Sequence, residues 1–305
     1  MVTTDFRYML ETPRLTGRRQ QKFQCPHCGR KSFVRYVDTY NNYSYVGDEV
    51  GKCDHEHSCG YHYKPGEYYR DHAWLKEPVR HSKTPMPKPT LPPLMHLPKE
   101  LVAQSHFPQS TFWQWFSHDC AKSLNIDPAT IQRVYEDYRI GATDRECIIF
   151  WQIDEKQRVR TGHVMQYQQD GKRHDGYQNW VHRERNFQDK IPKGFVLHQC
   201  LFGQHLLPLR SEAQVCIVES EKTALIMAAC QPQYLWLATA GSSGLNPDKL
   251  ECLRDRRFTL FPDSGCLGKW QKVMEKTNGL NYTISDHLEQ YPANTDLADL
   301  LLKPP

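Results

Sequence analysis

The chain has 305 residues, 39% of them hydrophobic and 24% charged, with a formal net charge of +4. That balance describes a globular protein and excludes a disordered one. No apolar run approaches the roughly 20 residues that cross a bilayer, and "MVTTDFRYMLETPRLTGRRQQKF" lacks the apolar core of a secretory signal. A cytoplasmic protein without membrane contact is expected, its eleven Cys being reduced thiols or metal ligands.

Charge is unevenly spread. Residues 1–35 hold eight Lys or Arg against two Asp or Glu, whereas residues 211–305 hold nine against twelve. A basic front and an acidic back fit a polyanion-binding surface beside a carboxylate-lined site, and equally fit ordinary solvated charge.

Residues 1–77 read as a small β domain built on thiols. "CPHCG" supplies Cys25 and Cys28, and "GKCDHEHSCGYH" supplies Cys53 and Cys59. Two thiolates on a tight knuckle share one tetrahedral Zn²⁺, and a second pair from a distant hairpin closes a structural site. The second pair is widely spaced, so His55, His57 and His62 compete with Cys59 for the fourth place, and His27 sits inside the first knuckle. Strand-like text between the pairs makes this a zinc ribbon. Arg14, Arg18, Arg19, Lys22, Arg30, Lys31 and Arg35 are candidate phosphate contacts. Phe23, Phe33, Tyr36, Tyr40, Tyr43 and Tyr45 are either base-stacking or packing residues.

The Pro-crowded stretch 78–98 reads as an extended linker. Residues 99–210 open with helical text interrupted at Pro108, in which Trp113, Trp115 and Phe116 are core candidates. "ECIIFWQIDEKQRVRTGHVMQYQ" then predicts a hairpin around "DEKQR". Residues 211–305 alternate. The strands "QVCIV", "YLWLATA", "RFTLFPD" and "NYTIS" are separated by the helices "EKTALIMAAC", "NPDKLECLRD" and "CLGKWQKVMEKTNG". This predicts a parallel sheet and a mixed α/β chain, with Asn246-Pro247 as N-cap and first helical residue. The isolated Cys120, Cys147, Cys200, Cys216, Cys230, Cys252 and Cys266 read as small buried hydrophobes.

Glu219 and Asp263 each end a predicted strand of that sheet. Functional groups gather outside the carboxyl ends of such strands, and two carboxylates meeting there require a proton or a hard cation such as Mg²⁺ or Mn²⁺. Asp296 and Asp299 in "TDLADLLL" are either further ligands or acids favoured at a helix N-terminus.

"CIVESEKTALIM", "LATAGSSGL" and "TLFPDSGCLGKW", in that order, resemble the toprim fold of primases, topoisomerases and some nucleases. Upstream, "YRIG", "IIFWQIDEKQRVRTGHV", "NWVH" and "CLFGQHLL" resemble elements preceding toprim in bacterial-type DNA primases, which also carry an N-terminal zinc ribbon. "ESEKTA" in place of the usual Glu-Gly form is closer still to primase-like toprim proteins of mobile elements. The resemblance implies a primase-like α+β part over 99–210 and a toprim domain over 211–305. It implies that Glu219 and Asp263 hold a divalent metal where a phosphodiester forms. Arg158, Arg160, Lys172, Arg173 and Lys222 are then candidates for holding nucleic acid, each also readable as a solvated strand edge. Implied partners are single-stranded DNA, nucleoside triphosphates and a helicase, although the chain ends without the helicase-binding tail of those primases. The chain departs from the pattern at Asp263-Ser264-Gly265, where Asp-x-Asp is usual, and at Ser220, where Gly is usual. The expected function is metal-dependent primer synthesis on DNA. The alternatives are an inactive DNA-binding protein in replication or transfer of a mobile element, and a toprim nuclease.

Overall fold

The computed structural model describes residues 7–17, 20–55, 58–75 and 95–302. Arg18, Arg19, His57, the side chain of Arg14 and linker residues 78–94 lie outside the described residues. The chain forms two compact units, Met1–Leu94 and Met95–Pro305.

In the first unit, β3 (Lys31–Asp38) is the shared strand of an antiparallel sheet. It pairs with β1 (Tyr8–Leu10), β2 (Phe23–Gln24), β4 (Ser44–Tyr45) and β5 (Gly51–Cys53), and β5 pairs with β6 (His62–Tyr63). Helix α1 (Pro13–Thr16) is capped by Thr12, and α2 (Pro65–Asp71) begins on a Pro. Cys25, Phe33 and Cys53 form one buried cluster, an apolar centre too small to hold the ribbon by burial alone. Phe33 and Tyr43 are buried, and the Arg35 guanidinium lies 3.8 Å from the ring centre of Phe23. Those two aromatics therefore pack rather than stack bases, whereas Tyr40 is exposed.

The second unit opens with α3 (Glu100–Ser105), then α4 (Thr111–Trp115), which passes through one π-helical turn at Phe116–Cys120 into α5 (Ala121–Ser123). Pro108 falls between α3 and α4. Helix α6 (Pro128–Asp137) is capped by Asp127. Strands β7 (Gly141–Ala142), β8 (Ile148–Ile153), β9 (Val159–Tyr167) and β10 (Arg173–Trp180) make an antiparallel sheet in the order β10-β9-β8-β7. The continuous apolar run of β8 follows from burial on both faces. Ile148 and Phe150 face one cluster, while Ile149, Trp151 and Ile153 face another with Leu97, Leu101 and Val164. Leu97 also pairs with Val159, so the end of the Pro-rich stretch belongs to this unit.

Strands β11 (Val215–Val218), β12 (Leu235–Ala238), β13 (Arg257–Phe261) and β14 (Asn281–Ile284) form the expected parallel sheet, ordered β12-β11-β13-β14. The connecting helices are α7 (Glu221–Cys230), α8 (Pro247–Leu250, capped by Asn246) and α9 (Leu267–Met274), and α10 (Leu297–Leu302) closes the described chain. One apolar core runs from Trp113, Phe116 and Tyr138 through Phe150 and Met165 to Ile217, Leu237 and Leu260. The parts expected over 99–210 and 211–305 thus share a core and fold as one unit. Trp113, Trp115 and Phe116 are in it, as expected. No described helix is long and apolar enough to cross a membrane.

Candidate metal centres

The four thiols of the ribbon converge. Sγ atoms of Cys25, Cys28, Cys53 and Cys59 all lie within 4.8 Å of one another. Cys25 to Cys59 is 3.7 Å and Cys28 to Cys53 is 3.9 Å, close to the edge of about 3.8 Å that a tetrahedron with Zn–S bonds of about 2.3 Å requires. Gly29 and Gly60 take φ of +68° and +66°, turning each knuckle directly after its second thiol. Burial pushes the Cys25 thiol up, but the amides of Cys28 and His27 more than offset this and bring it down to about 7. Two of the nearby His side chains have other partners. His62 Nε2 pairs with the Tyr36 hydroxyl at 2.9 Å, and His27 Nδ1 lies 3.4 Å from Cys59 Sγ, beside a ligand rather than in its place. The set fits a structural Zn²⁺ with no open position.

The second site is at the carboxyl ends of β11 and β13. Register pairs Val218 with Phe261, which brings Glu219 and the Asp263 turn to the same edge. The Asp263 amide donates to Glu219 Oε1 at 3.2 Å, and Glu219 is only 4% exposed. Burial raises the Glu219 carboxyl, opposed by the Cys266 thiol that hydrogen-bonds it, by the Asp263 amide and by the Lys269 charge. Burial, then the charges of Glu219, Asp296 and Asp299, push Asp263 up to about 8. Four carboxylates therefore share one field. Their oxygens are not gathered to ligand distance: among the described residues the thiols are the one group of three or more donors within 4.8 Å.

Asp296 and Asp299 cap a helix. Asp296 Oδ1 accepts from the Asp299 amide at 2.8 Å and Asp299 Oδ2 from the Asp296 amide at 3.2 Å, a reciprocal box at the start of α10. Asp296 Oδ2 also accepts from Thr223 Oγ1 at 2.6 Å, tying α10 to α7. Ser220 caps α7 through the Thr223 amide at 3.1 Å with φ of −101°, so this position has no need of Gly. Gly265 has φ of +86°, a backbone that an Asp adopts only with strain.

Residues 110–264 match a family model described as a domain of unknown function (DUF6371), and that span is just over half of the chain. The chain belongs to the DUF6371 family. The span holds Glu219, Asp263 and the whole antiparallel sheet. Residues 6–74 match a second model, a zinc beta-ribbon finger, which holds all four thiols. No curated protein matches. The chain is similar to the Escherichia coli primase catalytic core, at 13% identity over 67% of this chain and 74% of that one, TM-score 0.43. It is also similar to the RNA polymerase domain of Mycobacterium tuberculosis primase DnaG, at 12% identity over 67% and 77%, TM-score 0.42.

In this DUF6371 member three of the five expected basic residues have partners within the fold. Arg158 and Arg160 both direct Nε at Asp154 Oδ2, 2.8 Å each, and Asp154 is fully buried. Lys222 Nζ donates to Gly171 O at 2.9 Å and lies 5.0 Å from the Trp115 ring centre, with burial lowering its pKa. These three hold the fold together. Lys172 and Arg173 are exposed, Lys172 beside Asp170 at 2.9 Å. Among the isolated thiols, Cys120, Cys147, Cys200 and Cys216 are buried as expected, whereas Cys230, Cys252 and Cys266 are half-buried, Cys266 against Glu219.

Sequence reasoning passed over two features. Glu221 Oε1 meets His163 Nδ1 at 2.8 Å, with both side chains buried and the imidazole stacked on Trp180. Burial raises the Glu221 carboxyl, and His163 more than offsets it. Lys249, buried at the start of α8, donates to Thr239 O at 2.9 Å, and burial brings its pKa down to about 8. An acid or a lysine in the first turn of a helix reads as solvated, so neither advertises its burial.

Proposed function

We propose that this chain binds nucleic acid and carries, at the carboxyl edge of its parallel sheet, a divalent-cation site for phosphoryl transfer of the primase type. The observation that carries the reading is buried Glu219 beside half-buried Asp263, with Asp263 pushed up to about 8 by desolvation and neighbouring acids. The edge is short of positive charge, which a hard cation supplies. The donor chemistry fits Mg²⁺ or Mn²⁺: one or two carboxylates, with waters kept by the ion, suit such an ion better than an all-protein cage. When bound, the ion supplies neutralisation of phosphate charge and activation of an attacking hydroxyl. Glu219 and Asp263 would hold it, and the Asp263 amide orients Glu219. Exposed Arg30 and Lys31 beside the zinc knuckle are candidates for template phosphates. The order of toprim-like motifs is consistent with this assignment. Nucleoside triphosphates are the substrates in this reading, and a helicase is a further partner.

A second reading, a nucleic-acid-binding protein without catalysis, is favoured by Gly265 and by the capping of α10 with Asp296 and Asp299. The assay that separates them supplies the purified chain with single-stranded DNA, nucleoside triphosphates and Mg²⁺ or Mn²⁺. Primer products that vanish in Glu219→Ala support catalysis. Salt-sensitive DNA binding with no product, unaltered by Glu219→Ala, selects the binding protein.

A further inference from the structure

The turn that follows β12, "TAGSSG" over residues 239–244, stands beside the acidic pair and is organised in an unusual way. Three of its six carbonyls are engaged by the protein at 3.3 Å or less. Thr239 O accepts from the buried Lys249 Nζ at 2.9 Å, Gly241 O from the Gly244 amide at 2.8 Å and Thr239 Oγ1 at 3.0 Å, and Ser242 O from Trp270 Nε1 at 3.3 Å. Its remaining donors are not so engaged. Among the described residues, the amides of Ala240, Ser242 and Ser243 have no protein acceptor. The Gly241 amide, by contrast, is bonded to Glu219 O at 2.9 Å, which fastens the turn to the end of β11. Lys269, from the first turn of α9, sets Nζ at 2.8 Å from Ser243 Oγ and 3.3 Å from Ser242 Oγ. Among the described residues Lys269 forms no ion pair, although its charge reaches Glu219.

A turn with three carbonyls engaged and three amides without a protein acceptor, beside two hydroxyls and an ammonium, carries a surplus of donors. That is the signature of an oxyanion cradle rather than of a cation site or an apolar groove. The acidic edge next to it would repel an anion unless a divalent ion lies between them, and a phosphate chain bridging such an ion to a lysine has that charge alternation.

We propose that Ser242, Ser243 and Lys269 form a phosphate-binding subsite that takes the phosphate chain of a nucleoside triphosphate or the terminal phosphate of a nucleic-acid strand. This deepens the proposed function and rests on it for the neighbouring cation. The turn itself is an independent feature. Lys269 and the two serines are positioning residues for a phosphate.

The test is isothermal titration of the full chain with three probes: ATP, a short 5′-phosphorylated oligothymidylate and its unphosphorylated counterpart, each with Ca²⁺ and without divalent ion. Lys269→Ala and the double variant Ser242→Ala/Ser243→Ala are expected to weaken a phosphate-bearing probe roughly tenfold, the loss of one charge-assisted contact. Lys269→Arg retains most of the affinity, and Lys272→Ala, exposed on the same helix, changes nothing. Loss confined to ATP identifies a nucleotide, whereas loss confined to the 5′-phosphorylated strand identifies a strand end; both support the subsite. Equal weakening by Lys269→Ala and Lys272→Ala, or no change on either phosphate probe, overturns it. Should Ca²⁺ and Glu219→Gln leave affinity unaltered while Lys269→Ala still weakens ATP, the cation reading fails and the subsite stands.

Discussion

The main-chain amide of Asp263 donates to Oε1 of Glu219 across 3.2 Å, so two carboxylates ending adjacent parallel strands are locked at one tip. Burial and the charges of Glu219, Asp296 and Asp299 set Asp263 near 8 against an ordinary value of 3.8. Between those values the folded chain holds a proton that the unfolded chain has released. The associated stability is present below 3.8 and lost as pH rises through 8. Without divalent ions, stability should therefore fall across the neutral range, and Asp263→Asn should flatten that slope. Mn²⁺ should flatten it too, by replacing the proton. Urea unfolding at a series of pH values, with and without Mn²⁺, measures this. A metal-free profile with no fall between pH 6 and about 8 removes the argument for a charge-starved site.

Asp154 is fully buried and accepts from the guanidinium Nε atoms of Arg158 and Arg160 and from the amides of Lys156 and Arg158. Burial raises its carboxyl, and the Arg158 amide and Arg160 more than offset this, so it stays ionised. Asp154→Ala strands two cations at the hairpin and should cost about 3–5 kcal/mol, the cost of breaking a buried pair. Arg160, 13% exposed, should cost more on truncation to Ala than Arg158 at 35%. Chemical denaturation of the three variants ranks them. An Asp154→Ala variant within about 1 kcal/mol of the parent would mean that the hairpin is held by packing alone.

What was legible from the sequence was whatever depends on local pattern. Helix α7 spans Glu221–Cys230 because Ser220 caps it and an apolar run follows, and both signals lie in adjacent residues. Thiol spacing and strand–helix alternation are equally local. By sequence Arg158, Arg160 and Lys222 are nucleic-acid contacts or solvated strand edges, because their partners, Asp154, Gly171 and Trp115, are chosen by the tertiary fold. Glu221 finds His163 at a distance of 58 residues along the chain, and Cys266 meets Glu219 from the turn that leads into α9. Such pairs have no sequence spacing to recognise.

The ribbon depends on its metal more than the second unit does. Its central buried cluster is Phe33 with two of the thiols, Cys25 and Cys53, and beyond it Val34, Val37, Tyr43 and Val50 are buried apolar residues among those described, a small core for a unit that loses its zinc. A single zinc per chain is expected by metal analysis. Chelation, or Cys53→Ser, should unfold the first unit while the second retains its own thermal transition. Limited proteolysis reads the two units separately. Resistance of the ribbon to protease after complete zinc removal would show that its strands hold without the tetrahedral site.

The turn at Gly171 is a sensitive backbone position in the second unit. Its φ is +74°, and a Cβ placed there would lie 2.2 Å from Cε2 of Trp115, inside van der Waals contact with a buried ring. Lys222 Nζ bonds the carbonyl of the same glycine while resting over that indole, so the glycine, the tryptophan and the lysine constrain one another. Gly171→Ala meets two penalties, a left-handed backbone and an overpacked ring, and should destabilise by about 2–4 kcal/mol. Trp115→Phe alone leaves room beside the turn but loses the cation–ring contact, for about 1 kcal/mol. In the double variant the smaller ring relieves the clash, so the combined loss should be less than the sum. A double-mutant cycle by thermal or urea unfolding reads this coupling directly; strict additivity would show that the glycine is required by its backbone angle and not by the ring beneath it.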